Sequence, residues 1–183
     1  SAAMRAARSD GCGGAIRQVR ATLHERRTQA SFKHYDRWIA KRLEGREKRR
    51  PEVHQGPLFS VVVPVFKPVR KHVRECISSV RRQLYSHWEL ILVDDGSEDP
   101  ALTRFLKKVS RADSRVRVVA LKTNRGIGAA TNAGLELAQG AFVCFLDHDD
   151  ALTRDALLLA AHHLLQDPTT DFIYGDEDKI SQH

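Results

Sequence analysis

An open, mainly parallel α/β sheet with helices on both faces is expected from three properties of this 183-residue chain. After Pro57, short apolar runs alternate regularly with segments of helical periodicity. Two of those runs end in clustered carboxylates, Asp94-Asp95-Gly96-Ser97 and Asp147-His148-Asp149-Asp150. The composition, 42% hydrophobic and 29% charged, suits a globular body, and no apolar run approaches the roughly 20 residues that cross a bilayer. Alternating strands and helices imply right-handed crossovers, and such sheets take ligands at the carboxyl ends of their strands.

Each element has its own warrant. Phe59 to Val63 is a β-branched run closed by Pro64, as a buried parallel strand would be. Val69, Val73, Cys76, Ile77, Val80 and Leu84 form a helical stripe opened by Pro68. Glu89 to Val93 is the second strand. Pro100 to Lys108 reads as a helix, with Asp99 as its cap and Pro100 in its first position. Val116 to Leu121 follows as the third strand. Gly128 to Gln139 is a helix of small residues ended by Gly140, and Ala141 to Leu146 is the fourth strand. Thr153 to Gln166 is a Leu/Ala-rich helix stopped by Asp167-Pro168, and Phe172 to Tyr174 is expected as a short fifth strand.

The chain divides near Pro51 to Pro57. Residues 1–14, with Gly11, Gly13 and Gly14, read as a disordered or tag segment. Residues 15–56 form a basic helical leader and linker, in which Phe32, Tyr35, Trp38, Ile39 and Leu43 recur at helical spacing. Residues 57–183 form the sheet domain. The formal charge of +7 belongs to the front: residues 1–56 hold 14 Lys/Arg against 6 Asp/Glu, the remainder 16 against 17. A basic segment attracts anionic lipid or nucleic acid, but a solvated helix is the plainer reading, and no nucleic-acid module is visible. The polar, Arg-rich start has no apolar core of a secretory leader. Cys12, Cys76 and Cys144 are widely spaced, which argues against zinc or a disulfide framework and for a reducing compartment.

Clustered carboxylates repel, so they need a cation, hydrogen-bond donors or raised pKa values to coexist. A divalent metal carrying a nucleoside diphosphate would meet that need, which suggests a nucleotide-sugar site. Gly126-Ile127-Gly128-Ala129-Ala130-Thr131 imitates the start of a dinucleotide fingerprint. It lacks the third glycine, follows the third strand and has no suitably placed ribose acid, so a dehydrogenase is rejected.

Residues 59–180 resemble the nucleotide-binding half of family 2 glycosyltransferases, which have the GT-A fold. The matching pieces, in the family's order, are Val61-Val62-Val63-Pro64-Val65-Phe66, then Glu89 to Ser97, then Asn124-Arg125-Gly126 with Ala130-Thr131-Asn132, then Phe145 to Asp150. Phe172 to Ile180 and the leader's Tyr35-Asp36-Arg37-Trp38-Ile39 resemble a subgroup acting in bacterial surface polysaccharide assembly, including O-antigen and rhamnan-type enzymes.

The resemblance implies residue roles. Pro64 and Phe66 would border the base and ribose. Asp95 would accept the imide N–H of uracil or thymine, while Asp94 shapes the turn or contacts the base. Arg125 would reach the base or diphosphate. Asp147 and Asp149 match the DxD element, with Asp149 the direct ligand of Mg²⁺ or Mn²⁺ and Asp147 on ribose or metal-bound water. His148 is read as a variable middle position. The implied activity is inverting, metal-dependent transfer from a UDP- or dTDP-sugar to a glycan or lipid-linked glycan. The expected compartment is the cytoplasm, with the inner face of the plasma membrane as the alternative should the basic leader make peripheral contact instead of standing solvated. The acceptor half looks truncated: the base is expected beyond His183, and Asp176, Glu177 and Asp178 precede it. The alternative is a non-catalytic nucleotide-sugar-binding or interaction module of a larger synthase.

Overall fold

The computed structural model of the protein describes residues 51–53 and 55–175. The expected leader helix, its apolar stripe, Cys12, the segment 1–14 and the acids at 176–178 lie outside the described residues. The elements run β1 (Phe59–Val65), α1 (Arg70–Arg81), β2 (Trp88–Asp94), α2 (Pro100–Ala112), β3 (Val116–Ala120), α3 (Ile127–Leu135), β4 (Phe142–Phe145) and α4 (Ala156–Gln166). The four strands form one parallel sheet in the order β3-β2-β1-β4. The order reverses between β1 and β4, where open α/β sheets leave a crevice for ligands.

Alternation along the strands divides the core into two layers. Val61, Val63, Val65, Leu90 and Leu92 face a large cluster completed by Val73, Cys76, Ile77 and Val80 of α1, Leu102, Leu106 and Val109 of α2, and Leu157, Leu158, Ala161 and Leu164 of α4. Val62, Ile91 and Val93 face a smaller cluster with Ala130 of α3. The small residues of α3 allow its backbone to lie almost on the sheet. A Cβ on Gly134 would stand 2.5 Å from Val62 Cγ1 and 3.3 Å from Val93 Cγ2. At the amino end of β2, buried Glu89 accepts Ser60 Oγ–H at 2.5 Å and Gln139 N–H at 2.6 Å and pairs with Arg117. Burial raises its pKa, but those hydrogen bonds and the guanidinium outweigh burial and hold it below the usual range.

Some boundaries move for identifiable reasons. Helix α2 starts at Pro100 as expected, capped by Asp99 accepting Ala101 N–H at 2.8 Å, but continues to Ala112 because Val109 extends its buried stripe. Helix α3 stops at Leu135, and the residues up to Gly140 turn back over Glu89 and Ser60. Strand β1 passes through Pro64 to Val65, pairing Pro64 with Val93. Proline is tolerated because its missing N–H faces β4, not β2. On that side the Val62 carbonyl accepts Leu146 N–H at 3.2 Å, and the next rung would need a donor at position 64. Beyond that point β4 no longer pairs with β1. The fifth strand expected at Phe172 to Tyr174 does not form: residues 171–175 are irregular and Phe172 and Tyr174 are exposed. A strand needs a ladder partner, and among the described residues β4 pairs only with β1.

Candidate functional site

Three loops leave the carboxyl edge of the sheet and are tied together. The loop after β1 turns at Lys67, whose φ of 41° is left-handed, and Lys67 N–H donates to Ser97 Oγ at 3.0 Å. Ser97 N–H in turn donates to Asp94 Oδ1 at 3.0 Å. Gly96 sits at φ 66°, with a hypothetical Cβ only 2.5 Å from the Thr123 carbonyl carbon, so the loops after β2 and β3 touch backbone to backbone. Asp95 completes the tie: its two carboxylate oxygens accept Arg125 N–H and Gly126 N–H, each at 2.8 Å. Gly126, at φ 85°, then opens α3.

Between the ends of β1 and β4 lies a cleft of about 190 Å³. Pro64, Val65 and Phe66 form its floor at the end of β1, with Asp95 beside them. Asn124, Gly126, Ile127 and Ala130 bound one side, and Asp147, His148 and Asp149 the other. Thus Pro64, Phe66, Asp95, Asp147 and Asp149 share one cavity. Asp94 does not line it, because its buried carboxylate closes the turn to Ser97. Arg125 contributes its backbone N–H to Asp95, and its exposed side chain is not part of the lining.

The turn after β4 differs in kind. Asp147 and Asp149 are exposed, and among the described residues no hydrogen bond or ion pair engages their carboxylates. Their charge reaches inward nonetheless. Burial first, and then Asp150, Asp149 and Asp147, push the Cys76 thiol up to about 12. Burial pushes Cys144 up to about 11, so both free thiols are held in the protonated form. Among the described residues no group of three His, Cys, Asp or Glu is arranged to hold a metal. Two exposed carboxylates nevertheless fit a hard dication that takes its other oxygens from phosphate and water.

Sequence reasoning passed over Ile127 as a cleft residue. It is 65% exposed at the start of a helix, and an apolar side chain in that place was the available signal.

Comparison with known proteins places this arrangement. The model of "Glycosyl transferase family 2" matches residues 60–181. The O-antigen biosynthesis protein RfbC of Myxococcus xanthus is 36% identical over 154 residues, covering 82% of this chain and 12% of that protein. The Escherichia coli enzyme WfgD, a UDP-Glc:alpha-D-GlcNAc-diphosphoundecaprenol beta-1,3-glucosyltransferase, is 32% identical over 126 residues, covering 69% of this chain and 48% of that one. The crystal structure of S. aureus TarS 1-349 in complex with UDP superposes with a TM-score of 0.54 at 32% identity, over 59% of this chain and 32% of that one. The chain therefore spans less than half the length of each of these relatives. With the parallel sheet, the switch-point cleft and the ordered motifs in agreement, the chain belongs to glycosyl transferase family 2 and has its GT-A fold.

Proposed function

We propose that this chain binds a nucleoside-diphosphate sugar in the cleft and serves transfer of the sugar, with inversion, to a glycan or lipid-linked glycan hydroxyl. The observation that carries the reading is that two carboxylates with no partner among the described residues, Asp147 and Asp149, share one cavity with Asp95, Pro64 and Phe66. The base would lie against Pro64 and the half-exposed Phe66 ring. Asp95 would accept the imide N–H of uracil or thymine, since each oxygen keeps a lone pair beyond its backbone bond. Asp149, with Asp147 beside it on ribose or metal-bound water, would hold Mg²⁺ or Mn²⁺. When bound, such an ion neutralises charge on a departing diphosphate. Arg125 would approach the diphosphate from outside the cleft wall.

UDP in the TarS complex supports a UDP-sugar, with a dTDP-sugar as the near variant. The names of RfbC and WfgD support surface polysaccharide synthesis and a lipid-linked acceptor. Work on such an acceptor would take place at the cytoplasmic face of the membrane, with the basic leader in contact. Among the described residues no helix is long and apolar enough to cross a membrane. The general base must reach the acceptor hydroxyl. In this reading Asp95, Asp147 and Asp149 serve the donor, and the resemblance to family 2 enzymes implies a base beyond His183.

Titration of UDP with Mn²⁺ into the wild type and Asp149→Ala tests the site. Loss of manganese-dependent binding in the variant is expected; unchanged binding removes the reading. The chain's small share of its relatives' length favours a second reading, a donor-binding module of a larger synthase. Turnover by the 183 residues alone would defeat it.

A further inference from the structure

The acidic turn belongs to an irregular connection from Leu146 to Asp155, within which the Asp150 N–H to Asp147 carbonyl bond, 3.1 Å, is a local closure. Exposed carboxylates on such a segment need an external frame to keep one geometry. Helix α1 and the residue pair that follows it supply one. Cys76 Sγ–H donates to the Asp147 carbonyl at 3.4 Å. Ser79 Oγ accepts Leu152 N–H at 3.1 Å while donating to the Cys76 carbonyl at 2.7 Å. Gln83 uses its whole amide: Nε2 donates to the Thr153 carbonyl at 2.6 Å and the Ser79 carbonyl at 3.2 Å, and Oε1 accepts Leu157 N–H at 3.0 Å. Leu84 N–H adds a bond to the Arg154 carbonyl at 2.9 Å.

Cys76 and Ser79 stand at i and i+3 on α1, Gln83 follows just past the end of that helix, and all three are buried. Apolar residues would fill the same volume, and a buried polar group is costly unless fully bonded. Here every polar atom of the three side chains is engaged by the connection, by carbonyls of α1 or, for Gln83 Oε1, by Leu157 N–H in the first turn of α4. The first contact falls on the residue that begins the Asp147-His148-Asp149 turn.

We infer that Cys76, Ser79 and Gln83 are positioning residues, a buried polar rail that fixes the turn and thereby sets where Asp147 and Asp149 meet the ligand. The inference rests on the nucleotide-sugar reading of that turn, and its test separates the two. Wild type, Cys76→Ala, Cys76→Ser, Ser79→Ala, Val80→Ala and Asp149→Ala are each titrated with UDP plus Mn²⁺ and with uridine alone, and their melting temperatures are recorded. Cys76→Ala and Ser79→Ala are expected to weaken UDP–Mn²⁺ binding about tenfold, the size of one lost hydrogen bond in a placement-sensitive site, with uridine binding unchanged. Cys76→Ser, which keeps a donor, restores most of the affinity. Val80→Ala, on the same helix but off the rail, lowers the melting temperature and leaves both affinities alone. If both rail variants bind UDP–Mn²⁺ like the wild type while Asp149→Ala does not, the rail is overturned and the site stands. If Asp149→Ala also binds normally, the site itself is refuted. Should Ser79→Ala fail to fold, the Cys76 pair decides alone.

Discussion

The turns after β2 and β4 both open with clustered carboxylates and reach opposite physical states. Asp94 and Asp95 are buried, and three of their four carboxylate oxygens each accept one backbone N–H, from Ser97, Arg125 and Gly126. Asp147 and Asp149 lie open beside the same cleft, with no such donors among the described residues. Like charges can be reconciled by donors built into the fold or left for a ligand to neutralise. The first turn therefore builds the cleft, with the lone pairs left on Asp95 turned to the base in the proposed reading, and the second is available to what enters it.

Substitutions should expose that contrast as a gradient in stability. Asp95→Ala strands two amide donors in a buried setting and is expected to cost about 3 kcal/mol, measured by denaturant unfolding. A loss below about 1 kcal/mol would mean that water replaces the carboxylate and that the two turns differ less than described. Gly96→Ala combines a left-handed backbone with backbone crowding, so about 2 kcal/mol should be lost in the same assay.

Glu89, at the far end of β2, extends the contrast to pH. Its folded pKa lies below the unfolded one, so its stabilisation is complete above the usual glutamate range and disappears as pH falls through the folded value. The stability gap between wild type and Glu89→Gln should thus narrow as pH drops below about 4. A gap that stays constant there would refute the assigned electrostatics. Asp149→Ala should sit at the end of the series, with stability within about 0.5 kcal/mol of wild type while metal-dependent binding is lost. A large destabilisation would put this carboxylate in the architectural class instead.

How far the chain could be read from its residues follows from the range of the forces involved. Local signals were legible: Asp99-Pro100 starts α2, and the apolar runs of β2 and β3 fall where the strands are. Pairing was not. Whether Pro64 ends a strand depends on which neighbour its nitrogen faces, and whether Phe172 to Tyr174 forms one depends on a partner strand. The two acidic turns could be read from the strand ends, while Pro64, Phe66, Asp95, Asp147 and Asp149 as site residues came with the family resemblance. For Asp94 the resemblance left two roles open, shaping the turn or contacting the base, and the donor at Ser97 decides for the turn. Gln83 was invisible because it serves residues some 70 positions away.

The imino nitrogen at position 64 has a consequence beyond the strand it occupies. Two neighbouring chains that stayed zipped would carry their loops out side by side, with no room between them. Because one cannot offer the next proton, they separate after a few rungs, and the gap appears where the order of the sheet reverses. The mouth of the cavity is thus opened by a missing donor, without a bulky wedge, which leaves its walls free to be lined by whatever side chains the ligand requires.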